Sequence, residues 1–291
     1  METSDKKTVL AILLCTLIYF LWSSFTSHQF PPPAPPQTNT TQVQVPPTNP
    51  SNFLAPPTTQ TQETYWETSD SQGSMLLSEQ TGRLKNGSLA HYLQPKNRAT
   101  GTPVDLFSVS HSAEHFLVSF DDPRLAYLAT AVGSTQDGVW TFEDENIRLI
   151  KTFEKRSNAP FLRFNLEATF KNPQIRPQFM FVSLHGQKSS YDADAPDQQF
   201  IAQSAHGTER FYLKDAIPTK PLIAPVEFVA LSNRHFLFAM VNKSPLNASG
   251  LLQPTLANAG RMSLVFPITS SIISVPVAYY FGPKDGKILK Q

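Results

Sequence analysis

From Leu162 to Lys171 the chain alternates without a break. Leu162, Phe164, Leu166, Ala168 and Phe170 interleave with Arg163, Asn165, Glu167, Thr169 and Lys171. Successive strand side chains point to opposite faces, so this pattern gives one apolar and one polar face, as a half-buried antiparallel strand requires. A helix of period 3.6 would smear the same residues around its axis. Weaker forms of the pattern predict further strands at 104–110, 115–120, 125–131, 139–143, 147–153 and 179–185. Others follow at 210–214, 226–232, 235–242, 261–266 and 272–281. Asn86-Gly87, Asp121-Asp122-Pro123, Gln136-Asp137-Gly138 and Lys171-Asn172-Pro173 supply turns between them. No amphipathic helix of three turns is legible, and 21 Phe are available for a core. The expectation is an all-β chain whose foldable part, 63–282, forms a large sandwich.

Ahead of that part, 8–62 contains no Asp, Glu, Lys or Arg. The run 9–22 is apolar apart from Thr16. As a helix it spans about 21 Å, and with Thr8 and 23–25 about 27 Å, close to the roughly 30 Å hydrocarbon core of a bilayer. Tyr19, Phe20 and Trp22 gather at its far end, where aromatic rings favour the lipid–water boundary. Lys6 and Lys7 precede it and hold the N-terminus on the cytoplasmic side, which sends the rest outward. A cleavable signal peptide opens in the same way, but the run ends in aromatics and lacks Ala-x-Ala, with Ser24 and Thr26 as a weak cleavage pair. The reading is a single transmembrane signal-anchor over 1–26, with Cys15 a membrane-buried bystander behind Leu14.

Residues 27–62 read as a disordered linker rich in Pro, Thr and Gln. Too little apolar surface is present to offset ordering entropy, and prolines favour extended polyproline-II conformers that could reach about 100 Å. Pro31, Pro32, Pro33, Pro35 and Pro36 could also serve a proline-binding module, but the topology places them outside the cell.

The 24 basic and 23 acidic side chains leave a net charge of +1, which excludes the basic excess of a nucleic-acid binder. One cysteine excludes an internal disulfide and a zinc site of several thiolates. No Gly-x-Ser-x-Gly elbow occurs, and 12 scattered glycines make neither a Rossmann fingerprint nor a phosphate loop. His111 and His115 have the spacing of helical metal ligands, but their neighbours alternate as strands. Asp192, Asp194 and Asp197 offer oxygen donors without the glycine turn or terminal glutamate of a calcium loop. His185, His206 and Glu227 can be assembled on paper into the His acid and Glu base of a mutarotase-type sugar site, although no spacing brings them together. The expectation is therefore no enzyme, no cofactor and no metal.

Three further stretches carry a resemblance. Leu76 to Leu84 forms a strand and a turn around Gly82, followed by Leu89-Ala90-His91-Tyr92; Phe228 to Phe236 forms an aromatic-flanked apolar run; and Tyr279-Tyr280-Phe281-Gly282-Pro283-Lys284 closes the domain. Their order, behind a lysine-flanked helix and a polar linker, resembles the N-terminal part of the YidC membrane protein insertases of Gram-negative bacteria. Phe228 stands for that family's Trp and His235 for its Tyr. The resemblance implies a periplasmic β-supersandwich similar to galactose mutarotase, with a connecting helix beginning at 283–291. It also implies a coupling segment, carried here by Tyr279, Tyr280, Gly282, Pro283, Lys284 and Lys287. The implied partners are the inner-membrane bilayer, the Sec translocon with its accessory subunits, and nascent membrane proteins. The last would act through five groove-forming helices that these 291 residues do not contain. The implied role is a non-catalytic scaffold of an insertase in the bacterial inner membrane. The alternative is an exported carbohydrate-binding or mutarotase-like sandwich protein.

Overall fold

The structure, a computed structural model, describes residues 64–69, 73–93, 103–105, 115–155, 161–187 and 198–284, the last without 214, 216, 235, 257 and 258. The signal-anchor with Lys6 and Lys7, the linker, His111, the acidic loop with Asp192, Asp194 and Asp197, and Lys287 lie outside the described residues. Among those described, no helix is long and apolar enough to cross a membrane.

Among the described residues, eighteen strands form three antiparallel sheets. The first sheet is β1 (Tyr65–Ser69), β2 (Gly73–Ser78), β3 (Leu84–Leu93) and β4 (Pro103–Asp105), in that order. A five-stranded sheet runs β13 (Lys220–Leu222), β16 (Ser249–Leu256), β17 (Ala259–Pro267), β10 (Phe179–Gln187) and β5 (Leu117–Phe120). The nine-stranded sheet begins with β12 (Gly207–Tyr212), β11 (Gln199–Ser204), β14 (Val226–Ser232), β15 (Phe236–Asn242) and β18 (Ile272–Pro283). It continues with β9 (Phe161–Phe170), β8 (Ile147–Lys155), β7 (Val139–Glu143) and β6 (Ser134–Gln136).

The alternation in β9 does what its period requires. Leu162, Phe164, Leu166 and Ala168 are buried, and Ile273, Val275, Val277, Tyr279 and Phe281 of β18 join them. The five-stranded sheet supplies Met180, Val182, Leu184, Met262, Leu264 and Phe266 to the same core. Each large apolar side chain sealed there contributes about 1.5–3 kcal/mol relative to exposure.

The strand expected at 125–131 is corrected to a 3-10 helix, Pro123–Thr130. Asp122 accepts from the Arg124 N–H and Pro123 takes the first position, the chemistry of a helix start. Leu125 and Leu128 then fall on one face at the three-residue repeat and are buried. Six strands, β1, β3, β6, β11, β13 and β16, were not anticipated, and two of them show why. Phe200, Ile201 and Ala202 of β11 are all buried, so a strand covered on both faces shows no alternation. In β16, Gly250 and Pro254 blunt the signal, and the register shifts between Pro254 and Leu256, a bulge that admits proline.

The turn between β2 and β3 is docked on the nine-stranded sheet. Gly82 has φ +57°, and a Cβ there would lie 2.6 Å from the Trp140 ring. Trp140 Nε1 donates to the Gln80 carbonyl at 2.8 Å. Lys151 Nζ donates to the carbonyls of Thr81 at 2.9 Å and Gly82 at 3.2 Å, and lies 4.4 Å from the centre of the Trp140 ring. Burial, reinforced by the nearby Arg83 charge, holds the Lys151 ammonium well below the usual lysine range.

Candidate functional site

Strand alternation gives the five-stranded sheet a second face. The even-numbered residues of β10 enter the main core, so Phe179, Phe181, Ser183 and His185 point away from it. Arg261, Ser263 and Val265 do the same on β17, because the registers Phe181↔Val265, Ser183↔Ser263 and His185↔Arg261 place them directly opposite. The face is graded along the strands. Phe179, Phe181, Leu251 and Val265 form a buried apolar cluster at one end. Next comes a buried hydroxyl pair, Ser183 Oγ to Ser263 Oγ at 2.8 Å. Beyond it lie His185 and Arg261, with Gln253 of β16 opposite Arg261, all three half-buried.

His115, just ahead of β5, is buried beside this end but against the main core. The Phe116 N–H donates to the Ser183 carbonyl at 3.1 Å, and His115 forms an isolated bridge with Leu84. Its ring stacks on Phe238 at 6.5 Å and 9°. Phe116, with φ +65°, packs inward among Phe153, Phe164 and Tyr279.

Burial is the first cause of the shift at each of the three basic groups. Burial first, and then His185, pushes the His115 imidazole down to about 3. Burial and then Arg261 push His185 down to about 4, and burial brings Arg261 to about 10. At neutral pH both imidazoles are therefore uncharged, each with one N–H donor and one acceptor nitrogen. The sign of the pH dependence follows. The unfolded chain takes up protons as pH falls below 6.5, whereas the folded chain takes them up only near 4 and 3. Stability is expected to fall progressively between pH 6.5 and about 4, read as a declining urea midpoint, and His185→Gln should flatten that decline. A midpoint constant across the window would contradict it.

The residues expected from sequence are not brought together as a set. His206 is exposed in the turn between β11 and β12, and Glu227 is exposed on β14. These two share one end of the nine-stranded sheet, where the Ala205 N–H donates to the Pro225 carbonyl at 3.3 Å. His185 stands on the other sheet. Of the coupling segment, Tyr279 is fully buried in the core. Tyr280 faces the opposite side of β18, in a row with Ile201, Ala230 and Ala239. Gly282 and Pro283 continue β18 beside Leu237 and Phe236, and Lys284 is exposed. Arg261 was not anticipated; its signal was a charge heading the apolar run Met262 to Phe266 in step with Ser263 and Val265. Among the described residues no three His, Cys, Asp or Glu side chains are gathered to hold a metal ion.

No family model and no curated protein matches the chain. Among solved structures, an aldose epimerase homologue from C. elegans is similar at 8% identity, over 77% of this chain and 100% of that one, with a TM-score of 0.50. A galactose mutarotase-like protein from Lactobacillus casei ATCC 334 is similar at 8% identity, over 75% and 100%, with a TM-score of 0.48. A galactose mutarotase related enzyme from Lactobacillus acidophilus gives 8%, 75%, 97% and 0.44. The fold is thus an all-β sandwich resembling the galactose mutarotase-like kind. The expectation of no enzyme is corrected by the same finding. The architecture is shared with an aldose epimerase homologue, so it gives no ground for a chain without chemistry of its own.

Proposed function

We propose that the chain is an exported β-sandwich protein that binds carbohydrate at the half-buried end of the second face of its five-stranded sheet, at His185. One observation carries this reading. The His185 ring is half-buried and makes no hydrogen bond among the described residues, while Arg261 stands directly opposite. A half-buried neutral imidazole left this way retains a donor and an acceptor for a ligand hydroxyl. The likeness to an aldose epimerase homologue supports the same direction. Calorimetry of the full chain against a panel of hexoses and muropeptides tests it. Heat of binding is expected from at least one member and should vanish in His185→Gln; a silent panel overturns the reading.

A second reading is the periplasmic domain of a YidC-like insertase. What supports it is the fold that resemblance implied, and the positions of its motifs. Leu76 to Leu84 is the docked β2–β3 turn, Phe228 to Phe236 spans β14 into β15, and Tyr279 to Pro283 ends β18 at the centre of the nine-stranded sheet. In this reading the chain sits in the inner membrane through 1–26, with the sandwich in the periplasm beside the Sec translocon. A silent saccharide panel would favour it.

A further inference from the structure

We propose that Lys151 is a proton-operated latch: its uncharged amine holds the β2–β3 turn against the nine-stranded sheet, and a proton taken up there loosens the turn while the sandwich stays folded.

The turn is held by its carbonyls. Thr135 Oγ1, on β6, donates to the Glu79 carbonyl at 2.8 Å. The Gln80 carbonyl accepts from Trp140 Nε1, on β7, and from the Gly133 N–H, both at 2.8 Å. Lys151 Nζ, on β8, takes the next two, Thr81 at 2.9 Å and Gly82 at 3.2 Å. Four consecutive carbonyls are thus met from the nine-stranded sheet or its flank, and one amine serves half of them. Of these donors only the lysine can gain or lose a proton near neutral or mildly alkaline pH.

The surroundings of the amine disfavour its charge. Lys151 is 3% exposed, and no carboxylate pairs with it among the described residues. A buried charge without a counter-charge is costly. Its cross-strand neighbours on β7 and β9 are Trp140 and Leu166, and Leu149 and Phe153 share its face of β8, none of them charged. On the turn, Arg83 has the same sign and is itself buried, its guanidinium donating to the Ala129 carbonyl. Glu79, half-buried at the start of the turn, does not offset it. Ala129 of the 3-10 helix and Gly133 bring only backbone groups to this interface. An ammonium would gain from the two carbonyls and from the Trp140 ring, whose centre lies 4.4 Å away. Burial outweighs that gain and Arg83 adds to burial, so the midpoint of the docked amine stands well below 10.5. The neutral amine keeps two N–H groups, one for each carbonyl. Freed into water, it regains its proton at any pH below 10.5, so opening the turn takes up a proton. Opening therefore grows more favourable as pH falls toward the docked midpoint, and no further below it.

The test is native-state hydrogen exchange of the full chain, read well above pH 6.5, where His115 and His185 are uncharged in the folded and unfolded chain alike. The Ser78 and Gly82 amides, which bond within the turn to the Arg83 and Ser78 carbonyls, report its opening. Corrected for the intrinsic pH dependence of exchange, their protection should fall about tenfold per unit as pH drops from 10.5, and level off at the docked midpoint. It should also stay below that of the amides of β18, the central strand, because the turn opens while the sandwich holds. Lys151→Met, which fills the same space and cannot titrate, should abolish the slope. Should that variant fail to fold, NMR of the Lys151 side chain in the parent chain decides. A depressed midpoint, coinciding with the pH at which Gly82 protection levels off, supports the latch; a midpoint at 10.5 overturns it. Flat protection in the parent chain, or a slope that survives in Lys151→Met, overturns it as well. Equal protection in the turn and in β18 at every pH would mean that only global unfolding frees the amine, and it overturns the latch too.

Discussion

Trp140→Ala is expected to lower the free energy of unfolding by about 3–5 kcal/mol, seen as a shifted urea midpoint at an unchanged m-value. Trp140 is 2% exposed and stacks on Phe142 at 6.4 Å and 13°. It also floors the site where the β2–β3 turn meets β7 and β8. A Cβ at Gly82 or at Gly133 would lie 2.6 Å from its ring, so both backbones already rest against it. Deleting the ring leaves a cavity under Gly82 and takes from Lys151 the aromatic face beneath its amine. The Gln80 carbonyl loses the indole donor but keeps the Gly133 N–H at 2.8 Å, so the hydrogen bond is the smaller part. Trp140→Phe separates the two. It retains a ring on Phe142 and forfeits the N–H, and should cost about 1 kcal/mol beyond any repacking. Equal losses for the two variants would place the energy in the hydrogen bond; an alanine loss under about 1 kcal/mol would contradict the docking account altogether.

The sequence pattern was legible where a strand has one wet face. β9 alternates because Leu162 to Ala168 face the core while Arg163, Asn165 and Glu167 do not, and β14 falls at its expected bounds, Val226–Ser232. It failed where burial is two-sided or the backbone irregular. β11 shows no period because both faces are covered, and the 3-10 helix was mistaken for a strand because Leu125 and Leu128 also fit a loose apolar run. There the Asp122-Pro123 start was the better guide, since a cap and a fixed φ act locally and need no partner strand.

The candidate site was legible only in part. His185 was among the residues named from sequence, but its companion is Arg261, with His115 buried beside them, and not His206 or Glu227. What unites them is register: His185 and Arg261 are opposed only because β10 and β17 pair from Phe179↔Pro267 to Gln187↔Ala259. Pairing over that sequence separation leaves no trace in local composition. The position of His115 is subtler still, because it depends on a left-handed backbone at Phe116, a residue whose sequence gives no hint of it.

That backbone yields the second large effect. Phe116→Ala is expected to cost about 3–5 kcal/mol, because its ring is fully buried and packs at 5.0 Å on Phe164, 4.7 Å on Tyr279 and 6.0 Å on Phe153. Phe116→Gly removes the same ring and one carbon more, and within a strand glycine is ordinarily the worse choice by roughly 0.5–1 kcal/mol. At φ +65° the order should reverse, since a side chain in the left-handed region costs about 1–2 kcal/mol that glycine does not bear. The glycine variant should therefore unfold at a higher urea concentration than the alanine variant. The reverse order would mean that the Phe116 backbone relaxes once its ring is gone, so that the aromatic cluster is what holds it there. In either case the turn carries His115, and a shift in its depressed imidazole midpoint, about 3 in the parent chain, would report whether His115 keeps its place against Phe238 and His185.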